Sequence, residues 1–173
     1  MPERFDPRPL LRTLHDHGVD YVLIGGLAAA LHGSPVATND ADICPDRTPE
    51  NLARLAAALR EIDARIRTDA EPAGLPFAID AVFLGRIETA LNLSTRYGNV
   101  DISYRPAAFT GGYQELLPHA VDYDVDDFTV KVASLSDIIR SKRTADRRKD
   151  RAVLPVLEAL EDEIADQAAR DER

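Results

Sequence analysis

Asp40 and Asp42, separated by a single residue, follow the pair Gly25-Gly26 after thirteen intervening residues, and these four residues are the part of the chain best suited to chemistry. Along a strand the side chains alternate in direction, so Asp40 and Asp42 share one face while Ala41 and Ile43 share the other. Two carboxylates on one face repel unless a cation or a strong donor lies between them, and oxygen ligands suit a hard divalent ion. The glycines close the apolar run Tyr21-Val22-Leu23-Ile24 and open an Ala-rich segment. A helix entered at such a turn offers free N–H groups and a positive dipole end, which suits a phosphate. Both signals also have plainer readings, a tight strand-to-helix turn for the glycines and the wet face of an edge strand for the aspartates. A third carboxylate bears on the choice. In Gly98-Asn99-Val100-Asp101-Ile102-Ser103, Val100 and Ile102 face the core and Asp101 points the opposite way. If that strand lies beside residues 39–44, three carboxylates converge on ground able to hold two magnesium ions, and Asp101 can also accept a proton.

The elements that must position these groups follow from periodicity and punctuation. Pro9–His17 reads as a helix with Leu10, Leu11 and Leu14 on one side and Gly18 as its stop. Tyr21–Ile24 is a buried strand, Leu27–His32 a compact helix closed at Gly33, and Asn39–Cys44 the strand with the paired aspartates. Thr48 caps a longer helix, Pro49 at its first position, expected to run to about Arg67 on the stripe Leu52, Leu55, Ala56, Leu59 and Ile62. Residues 68–88 show no regular pattern, broken by Pro72, Gly74 and Pro76. Glu88–Ser94 and Asn99–Tyr104 form a hairpin about Tyr97-Gly98, and a helix follows Gly112. Strands at Val121–Tyr123 and Phe128–Val132 lead to a helix capped by Ser134, with Asp137 as capping-box partner, ending near Asp146. The last helix spans Asp150 to about Ala168, with Pro155 marking a late start or a kink.

Composition narrows the classes. A chain of 173 residues with 45% apolar and 29% charged residues suits one domain with a sizeable core, 1–173, its centre at about 20–132 and a helical part at about 135–170. No apolar run reaches the roughly 18–20 residues of a membrane span, and Met-Pro-Glu-Arg-Phe-Asp does not resemble a signal peptide. A lone cysteine, Cys44, reads as a small buried group in a reducing cytoplasm. The histidines His15, His17, His32 and His119 have no paired metal spacing and read as packed or surface residues. A net charge of −9 argues against a general nucleic-acid binder. Seven basic residues nevertheless cluster between Arg140 and Arg151, enough for a local anion such as a triphosphate or an RNA end. They fit equally the solvated face of a helix, and Asp150 reads either as a cap or as an anchor for the cluster.

The ordered set of glycine pair, short helix, Asp-x-Asp and later strand Asp resembles the nucleotidyltransferase superfamily that includes DNA polymerase beta. It is most similar to small bacterial members of the minimal-nucleotidyltransferase and AbiEii-toxin type. Tyr21 to Cys44, with His32-Gly33 and Thr38, resembles their first motif, Tyr97 to Ile102 the strand of the third carboxylate, and Val130 to Asp150 the later helix with its lysine and basic-Asp pair. The resemblance implies an α+β nucleotidyltransferase fold, a mixed, antiparallel-containing sheet flanked by helices, with C-terminal helices. It implies a metal-dependent transferase in which Asp40, Asp42 and Asp101 are catalytic and hold two Mg2+, and Gly25, Gly26 and Lys142 bind the nucleotide. Lys131 or Arg147 would assist Lys142. The nucleotide would be a triphosphate such as ATP. The acceptor would be an RNA (a tRNA 3′ end) or a protein, with a cognate toxin or antitoxin as partner and no membrane. Val36 stands where relatives often carry arginine. The competing expectation is a nucleotide-binding or antitoxin-like protein without turnover on the same fold.

Overall fold

The computed structural model describes residues 5–172. Its frame is a seven-stranded mixed sheet. In chain order the strands are β1 (Tyr21–Ile24), β2 (Asp40–Pro45), β3 (Arg65–Ile66), β4 (Ala90–Thr95), β5 (Gly98–Ser103), β6 (Val121–Val125) and β7 (Phe128–Val132). They lie side by side as β3-β4-β5-β2-β1-β7-β6. β2 runs antiparallel to β1 and parallel to β5, while β1 and β7 are parallel; β4–β5 is the hairpin read from the sequence, and the two later strands β6 and β7 also pair antiparallel. The helices are α1 (Arg8–Asp16), α2 (Gly25–Leu31), α3 (Pro49–Glu61), α4 (Ala81–Arg86), α5 (Tyr113–Leu116), α6 (Leu135–Ala145) and α7 (Arg148–Asp171).

Alternation builds the central strands. In β2 and β5, Ala41, Ile43, Val100 and Ile102 are fully buried on one face, against the leucine stripe Leu52, Leu55 and Leu59 of α3 in the same apolar core. The opposite face is left for Asp40, Asp42 and Asp101, which are only partly buried. Leu10, Leu11 and Leu14 of α1 are buried in that core as the sequence predicts. Cys44 is buried as well, and burial pushes its thiol up to about 12. His32 is a packing residue. Its Nε2 bonds the carbonyl of Ala133 at 2.8 Å, which fixes the proton on Nε2 and leaves Nδ1 to accept from the Tyr123 hydroxyl at 3.0 Å.

Four expectations are corrected. The helix expected to reach Arg67 ends at Glu61, because Asp63 adopts a left-handed turn (φ 53) and residues 65–66 pair with β4 as an edge strand. Thr48 does not cap α3 through its side chain; its hydroxyl donates instead to Asp46 at 3.3 Å. Within residues 68–88 the helix α4 forms, capped by Asp80, which accepts from the Phe83 N–H at 2.7 Å. Ser134 caps α6 as read, but only half of the capping box is made, since the Asp137 carboxylate accepts from His119 Nδ1 at 3.1 Å. Pro155 lies inside α7, which starts at Arg148.

Gly112 precedes α5 with φ 60 and ψ −132, and a Cβ there would collide with the carbonyl oxygen of Tyr104. Gly112→Ala is therefore expected to cost about 1–3 kcal/mol in urea unfolding. An unchanged midpoint would show that this turn relaxes freely.

Candidate functional site

The carboxylates are brought together by strand register. Parallel pairing of β2 with β5 sets Asp42 opposite Asp101 and Asp40 opposite Asn99, while antiparallel pairing with β1 sets Asp42 opposite Ile24, the residue before the glycines. All three carboxylates and both glycines line one cleft of about 760 Å³. Gly25 has φ 69, and a Cβ at this position would collide with Asp42 Oδ2, so only glycine lets the aspartate lie against the turn. Gly26 is less constrained, its added Cβ standing in close contact 3.1 Å from Thr38 Oγ1. The Thr38 hydroxyl donates to Asp40 Oδ1 at 2.9 Å and so orients the first carboxylate from the loop before β2.

Electrostatics mark the cleft as a place that wants positive charge. Burial, then the charges of Asp40 and Asp101, push the Asp42 carboxyl up to about 7, against a partial offset from Lys149 and Lys142. Burial also raises Asp101, although Arg67 donates to its Oδ1 at 2.6 Å and pulls the other way. Across the cleft stand Lys142, Arg147 and Lys149. Two of them are anchored by Asp150, fully buried, which accepts from Arg147 Nε at 2.6 Å and from Lys142 Nζ at 3.4 Å. Asp150 also accepts from the Arg147 backbone N–H at 3.3 Å, so it both caps α7 and holds the cations. Burial raises its carboxyl, but these cations outweigh that and hold it below the ordinary range.

Three others of the basic cluster are spent elsewhere. Arg143 pairs with Glu158 at 2.7 Å, Arg151 with Asp146 at 3.5 Å, and Arg140 lies over the Phe109 ring at 4.9 Å. Lys131 is not at the cleft; it pairs with Asp122 at 2.6 Å across the β6–β7 edge. Val36 lines the cleft and is partly exposed. Nothing in the sequence points to Arg67 at the site, because the helix expected from Pro49 runs to it and the broken pattern after it carries no strand signal. Lys149 stood in the basic cluster, yet no spacing rule distinguishes it from its neighbours.

Hard carboxylate oxygens that repel one another in a part-buried cleft fit a divalent cation by donor chemistry. Asp40 and Asp42 offer that ligand pair as they stand. Asp101 is turned to Arg67, and among the described residues no three His, Cys, Asp or Glu side chains are gathered closely enough to hold an ion.

No protein-family model matches the chain, and no curated protein matches its sequence. Its fold does have relatives. The lincosamide antibiotic adenylyltransferase LnuA, solved with lincomycin bound, superposes with a TM-score of 0.59 at 16% identity, over 88% of this chain and 94% of that one. The antibiotic-resistance factor ANT(2'')-Ia gives a TM-score of 0.52 at 13% identity, over 94% and 91% of the two chains. The chain thus has the α+β nucleotidyltransferase fold, the class that its motif order resembles.

The raised Asp42 carboxyl carries a stability consequence. It is easier to protonate in the folded chain, at about 7, than at its ordinary 3.8. The group is therefore neutral and without cost below about pH 4; its cost grows as pH rises and is complete above about pH 7. In chelator-treated protein, Asp42→Asn should raise the melting midpoint at pH 8 by about 2–8 °C and leave it unchanged at pH 4. A lower midpoint at pH 8 would refute this reading of the cleft.

Proposed function

We propose that this cleft transfers a nucleoside monophosphate from a nucleoside triphosphate to an acceptor hydroxyl, releasing pyrophosphate. The observation that carries the reading is the register that sets Asp42 beside Asp101 on β2 and β5, against the Gly25-Gly26 turn and across from the cations held by Asp150. The glycine turn gives phosphate oxygens close access to backbone N–H groups. Lys142, Lys149 and Arg147 supply charge for the triphosphate, and Asp150 keeps two of them in place. Asp40 and Asp42, joined by Asp101, would hold Mg2+, two ions in the fullest form of the reading; the metal supplies positive charge to the phosphate oxygens when bound.

The chain's own part in the chemistry is positioning and one proton. The acceptor oxygen forms a bond to the α-phosphorus as the bond to the bridging oxygen breaks, and pyrophosphate leaves with that electron pair. The hydroxyl proton passes to the Asp101 carboxylate, whose raised affinity for protons suits a base.

The resemblance to toxin-type transferases supports an RNA 3′ end or a protein side chain as acceptor, within a toxin–antitoxin pair. LnuA is a lincosamide adenylyltransferase, so the same fold also serves a small-molecule acceptor. A second reading, triphosphate binding without transfer, is favoured by Arg67, which occupies the carboxylate that would accept the proton.

Radiolabelled triphosphates offered with RNA, protein and small hydroxylated acceptors test the proposal. Asp40→Ala and Asp42→Ala should each lower transfer about a thousandfold, the several kcal/mol that electrostatic stabilisation supplies. Lys142→Met should weaken triphosphate binding by about tenfold, a lost charge-assisted contact. Full transfer by both aspartate variants would sink the mechanism, and magnesium-dependent binding with no transfer to any acceptor would select the second reading.

A further inference from the structure

Arg67 is the one cation, among the described residues, that is bonded to any of Asp40, Asp42 and Asp101. Its backbone is tied to the sheet edge: its N–H donates to the Asn92 carbonyl at 2.9 Å, and the preceding Ile66 exchanges two bonds with Leu75 at 2.9 and 2.8 Å. The guanidinium lies in the cleft wall, its side chain 25% exposed, and reaches Asp101 Oδ1 from Nη2 at 2.6 Å. Nε of the same group is buried and has no partner among the described residues. An arginine dedicated to one carboxylate commonly makes two parallel bonds to it. Here one bond is made and a buried donor is left over, so the pair falls short of a committed structural bridge. Meanwhile Asp101 stands in register with Asp42, which has no cation bonded to it among the described residues.

We propose, on the basis of the transferase reading above, that Arg67 is an internal counter-ion that competes with a divalent cation for Asp101. Bonded to Arg67, Asp101 is withheld from the ion and from the acceptor hydroxyl. When the ion enters among the carboxylates, the guanidinium leaves. The two states exclude one another because a guanidinium and a dication on one carboxylate are like charges in a cleft where solvent screens them weakly. Since the backbone of Arg67 is paired to β4, the exchange needs only rotation of the side chain. The released fork stays in the wall, its donors free for a phosphate oxygen. The device keeps a part-buried carboxylate compensated in the empty protein and completes the ligand set only when the ion is present. Arg67 is thus a positioning residue, acting through Asp101.

The test is calorimetric titration of Mn2+ alone into nucleotide-free protein, with circular dichroism confirming that each variant is folded. Arg67→Met, which keeps the length of the apolar stem, should tighten Mn2+ binding about tenfold, and Arg67→Gln should do the same by removing the competing charge. Arg67→Lys should stay within about threefold of the unsubstituted protein, because it retains a cation. In an Asp101→Asn background the gain from Arg67→Met should vanish. Unchanged or weaker Mn2+ binding in both neutral variants, or an equal gain in the Asp101→Asn background, overturns the competition. Asp42→Asn separates the two claims. If it abolishes Mn2+ binding while the Arg67 variants are flat, the role of Arg67 falls and the transferase reading stands. If Mn2+ binding is indifferent to Asp42→Asn, both fall.

Discussion

Parallel pairing of β2 with β5 forces Asp42 against Asp101, with Asp40 on the same face two residues earlier, and the polar groups that line the cleft answer that accumulation of negative charge. Carboxylates with little water around them either take up protons or recruit cations. This protein does some of each. Asp42 is pushed up to about 7, Asp101 is bonded to Arg67, and Lys142 and Lys149 face the pair from the far wall. The backbone makes room as well, since Gly25 has no Cβ to collide with Asp42.

The cations facing that charge are themselves organised by a second buried carboxylate. Asp150 is wholly removed from solvent, and an isolated charge in such a place would be costly. It is stable there because Arg147 and Lys142 surround it and a backbone N–H completes its bonds. One aspartate therefore joins α6 to α7 and aims the positive wall at the cleft. The acidic tail of α7, from Glu158 onward, lies mostly exposed beyond this junction, which reconciles a net charge of −9 with a locally positive wall.

Local pattern carried much of the fold. The apolar run before Gly25-Gly26, the alternation in 40–43 and 99–102, and the turn at Tyr97-Gly98 are short-range signals, and each became the expected element. The reading went wrong where a local pattern competed with tertiary pairing. The stripe of α3 continues in type beyond Glu61, yet the left-handed turn at Asp63 and the bonds to β4 draw residues 65–66 into the sheet. That one error concealed Arg67, since a residue read as the end of a helix gives no reason to look for it beside Asp101. Lys131 failed differently: alternation on β7 sends it to Asp122, away from the cleft.

The sequence by itself determined which faces of which strands carry carboxylates, and that a glycine turn precedes them, because side-chain alternation and glycine's conformational freedom are properties of a few consecutive residues. Only the tertiary structure decided that β2 lies beside β5 in the register Asp42–Asp101, that Arg67 closes on that pair, and that Lys142, Arg147 and Lys149 stand opposite while Lys131 does not. Those relations join residues tens of positions apart. They are set by how buried faces stack and how charges are compensated, which short-range periodicity does not encode.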